Sequence, residues 1–153
     1  MRSKLRLTSL LALAFFAACT AGGVPTSSGG SGGVTITVNL TLNTQKPTQY
    51  GLSAGYSPSV TTVAVGSQIH FTNTDSFTHT ATLIPNVTQF PTGSPFGQGA
   101  LTQQGNNLSG GFSSGALLAG SSSQTITVDR AGTYFFGCFF HYGANMRGVI
   151  VAQ

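Results

Sequence analysis

This 153-residue chain has very little charge. It carries six Lys and Arg and only two acidic side chains, Asp75 and Asp129. Three of the six basic residues, Arg2, Lys4 and Arg6, lie in the first six positions, which leaves Lys46, Arg130 and Arg147 for the rest. A basic patch able to neutralise several phosphates is therefore missing, and nucleic acid is excluded as a partner. Two carboxylates give little material for acid–base catalysis. No amphipathic 3.6-residue period persists over a helix's length, which argues against helical architecture. Cysteine is also scarce, with Cys19 and Cys138 alone.

The N-terminus reads as an export signal over 1–19. A basic n-region precedes the apolar run Leu7–Phe16, which is too short to span a bilayer. The run ends in Phe16-Ala17-Ala18-Cys19, similar to a bacterial lipobox whose Cys is lipidated. The competing reading is an ordinary secretory signal with an incidental Cys19. Residues 20–33 are Gly- and Ser-rich, a flexible tether with an r.m.s. span of about 20 Å. The expected location is extracytoplasmic, in a periplasm or on a cell surface, with a lipid holding the chain to a membrane. If Cys19 carries lipid, Cys138 is the one thiol left. In an oxidising compartment a lone thiol is a liability unless something occupies it.

Residues 34–153 read as one domain, rich in short strands. Val34–Leu42 alternates apolar and polar side chains. Val60–Val65, Ile69–Thr72, Thr78–Ile84, Ser123–Val128, Thr133–Cys138 and Arg147–Ala152 follow, with Gly, Asn and Ser between them. This pattern predicts an all-β, two-sheet antiparallel sandwich. The stretch 85–111 lacks periodicity and reads as a long excursion with one short helical turn or strand, pinned by Phe90 and Phe96.

The chemistry concentrates near the C-terminus. Cys138, His141 and Met146 stand as C-x2-H-x4-M, so one tight loop presents a thiolate, an imidazole and a thioether. With a second imidazole these make a His2Cys plane with a weak axial Met, the ligand set of blue copper. His79 offers that imidazole. His70, between Ile69 and Phe71, points to solvent by strand alternation. Zinc is the metal rival, but Met does not favour it, and structural zinc takes four Cys or His ligands. A Cys138–His141 nucleophile pair is the catalytic rival, and it has no carboxylate nearby in sequence to orient the His.

The segment from Tyr134 to Val151, with Cys138, His141 and Met146, resembles the C-terminal hallmark of the plastocyanin branch of the cupredoxins. Phe71–Thr82, around His79, is similar to that family's upstream ligand strand. Thr78 and Phe140 stand where the family often has Pro before each His, and Thr80 where it often has Asn. The resemblance implies a Greek-key β-sandwich with one type 1 copper, a one-electron carrier and not an enzyme. It implies that His79, Cys138 and His141 form the equatorial plane, with Met146 axial. Phe139, Phe140 and Tyr142 would be core plugs or a patch where redox partners dock near the His141 edge. Two alternatives stay open: a copper storage or delivery module, and a metal-free interaction domain.

Overall fold

A computed structural model describes residues 33–153. The expected signal (1–19), Cys19 and all but the last residue of the tether lie outside the described residues. The strands are β1 (Val34–Val38), β2 (Lys46–Thr48), β3 (Gly51–Ser53), β4 (Tyr56–Ser57), β5 (Val60–Val63), β6 (Gln68–Asn73), β7 (Thr82–Ile84), β8 (Gln103–Asn107), β9 (Gly111–Ser114), β10 (Ile126–Thr127), β11 (Gly132–Gly137) and β12 (Arg147–Ala152). Two 3₁₀ turns, Gln98–Leu101 and Tyr142–Ala144, are the helical content of the described residues. No helix among the described residues is long and apolar enough to cross a membrane.

The expected β-sandwich is what forms. One layer runs β4-β1-β6-β10 and the other β7-β11-β12-β5, with β8 and β9 linking them by continuous hydrogen bonding. The pairing is mixed, unlike the wholly antiparallel expectation. β1 runs parallel to β6, β12 to β5 and β10 to β8. The parallel pairs join strands distant in sequence, as crossover connections require. Alternation on each strand turns one face inward. Ile36, Val38, Ile69, Phe71 and Ile126 from one layer meet Phe136, Ile150 and Ala152 from the other. Phe71 packs edge-on against Tyr56 and Phe136, with ring centroids 6.2 and 5.1 Å away. Such pairs add about 0.5–1.5 kcal/mol each beyond the area they bury.

The excursion over 85–111 contains both a 3₁₀ turn and strand β8. As expected, Phe90 and Phe96 pin it. They pack with Val87 against a second apolar cluster of Ile84, Phe135, Tyr142 and Val149 on the outer face of the β7–β11–β12 layer. Phe90 meets Phe135 at 5.1 Å and Phe96 meets Tyr142 at 5.6 Å, both edge-on.

The first strand is shorter than its alternation predicts. It stops at Val38 because side chains capture the next amides. Asn39 Oδ1 accepts from Leu42 N, and Asp75 Oδ2 accepts from Leu40 N and Thr41 N. This local competition with the ladder folds residues 39–43 over the end of the sandwich that carries His79.

Candidate metal centre

Two loops at one end of the sandwich build the site. The upstream loop leaves β6 at Asn73 and enters β7 at Thr82. Asn73 anchors it: its Nδ2 donates to the carbonyls of Phe77 and Leu117, at 2.8 and 2.9 Å. His79 then pairs its backbone with Leu117 in both directions, at 3.1 and 2.8 Å. The His79 side chain is fully buried.

The downstream loop runs from the end of β11 to the start of β12. Cys138 N donates to Met146 O at 3.0 Å, and Met146 N to His141 O at 3.2 Å. Asn145 closes the turn in the left-handed region, with φ 59°, a conformation that Asn tolerates better than most residues. Cys138 and Met146 are fully buried, whereas His141 is half-buried. Gly137 lets Tyr142 lie close, since a Cβ there would stand 2.9 Å from the Tyr142 ring.

The structure brings three expected ligands to one point. His79 Nδ1 and His141 Nδ1 lie 3.1 Å apart, and Cys138 Sγ lies 3.8 and 3.7 Å from them. Bonds of about 2.0–2.1 Å to nitrogen and about 2.3 Å to sulfur, as in a zinc site, reach a common centre at such separations. Met146 sits at the end of the same loop with its backbone bonded to Cys138. Its side chain lies against Gly55, where a Cβ would stand 2.5 Å from Met146 Cγ and 3.0 Å from Sδ. Gly55 has φ +76°, so it suits glycine on conformational grounds too. His70 is apart from the site, bonded to Thr35 Oγ1 at 2.9 Å on the outer face of β6, as alternation predicts.

Two residues that the sequence reading did not assign complete the arrangement. Asp75 Oδ2 accepts from His79 Nε2 at 3.1 Å, four residues away in the same loop. An ionised carboxylate only accepts, so the proton belongs on Nε2 and the lone pair of Nδ1 faces Cys138 and His141. Burial pushes the Asp75 carboxyl up. Hydrogen bonds from His79, Thr41 and Leu40 outweigh it and hold the group well below the usual carboxylate range. The signal in the sequence was Asp-x3-His, which carries no periodic meaning in an irregular loop. Thr80 joins the two loops. Its amide donates to Cys138 Sγ at 3.4 Å and its hydroxyl accepts from Phe139 N at 2.8 Å. Tyr56 OH, in turn, donates to the Thr80 carbonyl.

Burial pushes the Cys138 thiol up, despite the Thr80 amide. Burial, and secondarily the His79 imidazole, hold His141 below its ordinary value. Two imidazole nitrogens and a thiol sulfur thus converge on one point. A cation that takes soft sulfur and nitrogen satisfies all three at once.

A family model for copper-binding proteins of the plastocyanin/azurin family matches residues 44–153. No curated protein matches the sequence. Among solved structures, a purple cupredoxin from Nitrosopumilus maritimus is 20% identical, with 78% of this chain and 98% of that one covered and a TM-score of 0.48. An auracyanin from Roseiflexus castenholzii is 19% identical, with 82% and 99% covered and a TM-score of 0.49. A mutant fern plastocyanin is 22% identical, with 78% and 100% covered and a TM-score of 0.48. The chain belongs to the plastocyanin/azurin copper-binding family. Its cofactor is copper, one type 1 ion, and members of this family are generally electron carriers.

Proposed function

We propose that this member of the plastocyanin/azurin family carries single electrons outside the cytoplasm, on a copper ion that His79, Cys138, His141 and Met146 would hold. The observation that carries the reading is the convergence of His79 Nδ1, Cys138 Sγ and His141 Nδ1 within 3.1–3.8 Å. The bound copper supplies a one-electron couple. Cys138 gives up its proton when it binds the ion, so loading releases a proton. Asp75, Asn73 and Thr80 fix the donors through hydrogen bonds. The fully buried Tyr56, Phe71 and Phe136 beneath the site exclude water and limit rearrangement when the charge changes.

An enzymatic role does not suit this site. Asp75, His79 and Cys138 line up like a nucleophile and its orienting pair. However, Cys138 is fully buried and cannot meet a substrate.

His141 is the ligand that reaches the surface, with Phe140 beside it, and the segments that pair around His79 carry two more exposed apolar side chains. Phe77, Leu118 and Phe140 are 60%, 63% and 46% exposed. No charged side chain occurs within 76–80, 116–120 or 138–146. Redox partners dock on this rim through apolar contact, with little electrostatic steering. The lipid at Cys19 and the tether keep the domain near a membrane. A Cys19→Ser protein is expected in the soluble fraction; retention in the membrane pellet would count against the anchor.

The test of the central reading is optical. The copper(II)-loaded protein is expected to show an intense visible band that vanishes on reduction and returns on reoxidation. Cys138→Ser should abolish it with the far-UV circular dichroism intact. A parent protein without the band, or a variant that keeps it, overturns the reading.

A further inference from the structure

Arg147 follows Met146 at the start of β12, and its guanidinium is held on all sides. Nε donates to Leu52 O at 3.0 Å, one terminal nitrogen to Pro91 O at 3.3 Å and the other to Asn145 Oδ1. The cation lies over two rings, 5.0 Å from the centroid of Phe90 and 5.2 Å from that of Tyr142. These partners belong to three segments: β3 supplies Leu52, the excursion supplies Phe90 and Pro91, and the ligand loop supplies Tyr142 and Asn145. Pro91 O also accepts from Tyr142 OH at 3.0 Å, so one excursion carbonyl holds both ends of the turn from Tyr142 to Arg147. Asn145, fixed by Arg147 on one side, donates to Gln45 Oε1 on the other.

The charge of Arg147 is uncompensated. Of the two carboxylate side chains, Asp75 is bound to His79, and Asp129 is bound to Ser109 beside Arg130. Among the described residues Arg147 has no ion pair. An arginine stays ionised at any working pH.

We propose that Arg147 is the positioning residue of the C-terminal ligand loop: it straps the loop to the excursion, and its fixed positive charge, one residue from Met146, favours the reduced state. This assigns a role to the stretch around Pro91, and its charge component rests on the copper reading above. The sign follows from charge alone. Oxidised copper with one thiolate carries one more positive charge than the reduced site, so a nearby cation destabilises the oxidised form more.

Three variants separate the strap from the charge. Arg147→Gln removes both; a lower midpoint potential is expected, with the visible band retained. In the copper-free protein, exchange of the Ala144, Asn145 and Met146 amides should be about tenfold or more faster, because bonds from a charged donor are lost. Arg147→Lys keeps the charge but not the planar fork. It is expected to hold the potential near that of the parent while exchange quickens. Tyr142→Phe keeps the ring against Gly137 and removes only the hydroxyl bond to Pro91. It should quicken exchange at the same amides, and it decides the strap if Arg147→Gln fails to fold. An unmoved potential in Arg147→Gln, or its fall to the same level in Arg147→Lys, overturns the charge role. Unchanged exchange in Tyr142→Phe or Arg147→Lys overturns the strap. A parent without a visible band would refute the electron-carrier reading instead, because the exchange measurement needs no copper.

Discussion

The two histidines of the site occupy opposite environments. His79 is fully buried, paired through its backbone to Leu117 and through its ring to Asp75. His141 sits on a short loop at the surface, with no carboxylate behind it and with Phe140 exposed beside it. The upstream side fixes geometry, while the downstream side meets the outside. A carrier needs both, because a metal that never approaches the surface cannot exchange electrons, and one that is loosely held changes shape whenever it does.

The sharpest way to break this comparison is to remove each ring in turn. His79→Gly and His141→Gly should both abolish the visible band. Free imidazole is expected to restore it in His141→Gly, whose gap opens to solvent, and not in His79→Gly, whose gap is sealed. Rescue of both, followed by absorption, would show that the burial difference does not govern access.

A large effect is also expected in stability. Asp75→Ala leaves the amides of Leu40 and Thr41 and the buried His79 ring without their acceptor, and should cost about 3–5 kcal/mol. Phe140→Ser, on the other face of the comparison, should change stability by no more than about 0.5 kcal/mol. Urea denaturation of the two variants measures both.

Acid separates the two sides again. Asp75, depressed in the fold, contributes stability that is complete above about pH 4 and is lost as the pH falls from there towards its low folded value. His141, also depressed, favours the copper-free fold above about pH 6.5, and that contribution fades as the pH drops through this value. In the loaded protein the visible band should therefore decay at higher pH than the far-UV signal. Loss of both together would contradict this order. Asp75→Asn should remove the lower limb alone.

The smallest effect concerns docking. Electron exchange with a partner is expected to slow several-fold in Phe140→Ser with the midpoint potential unchanged, and to vary little between low and high salt. A steep salt dependence would mean that charges outside the apolar rim steer the encounter.

How much of this was legible in the sequence follows from the range of each signal. Cys138, His141 and Met146 lie within nine residues, so their spacing alone announced a loop with three ligands. Strand β12 was legible to the residue because a short apolar run rich in β-branched residues, 148–152, follows the ligand loop directly. Strand β1 was over-read by four residues, because nothing within Val34–Leu42 announces that Asp75, more than thirty positions later, will capture the amides of Leu40 and Thr41. The parallel pairs were hidden for the same reason, since pairing is set by packing between distant segments. Hairpin β2–β3 passed unnoticed because its strands have three residues each, too few for alternation to register. Thr80 was visible only as a departure from the family's usual Asn, yet its amide and hydroxyl bond both Cys138 and Phe139.

Gly55 has a consequence for how such a protein can be lost over generations. The hydrogen that stands in place of a side chain there is the space into which Met146 fits. A single base change in a glycine codon can give alanine. The descendant would keep His79, Cys138, His141 and Met146, and anyone scanning for those four letters would count it intact, although the thioether no longer had room to lie where it does.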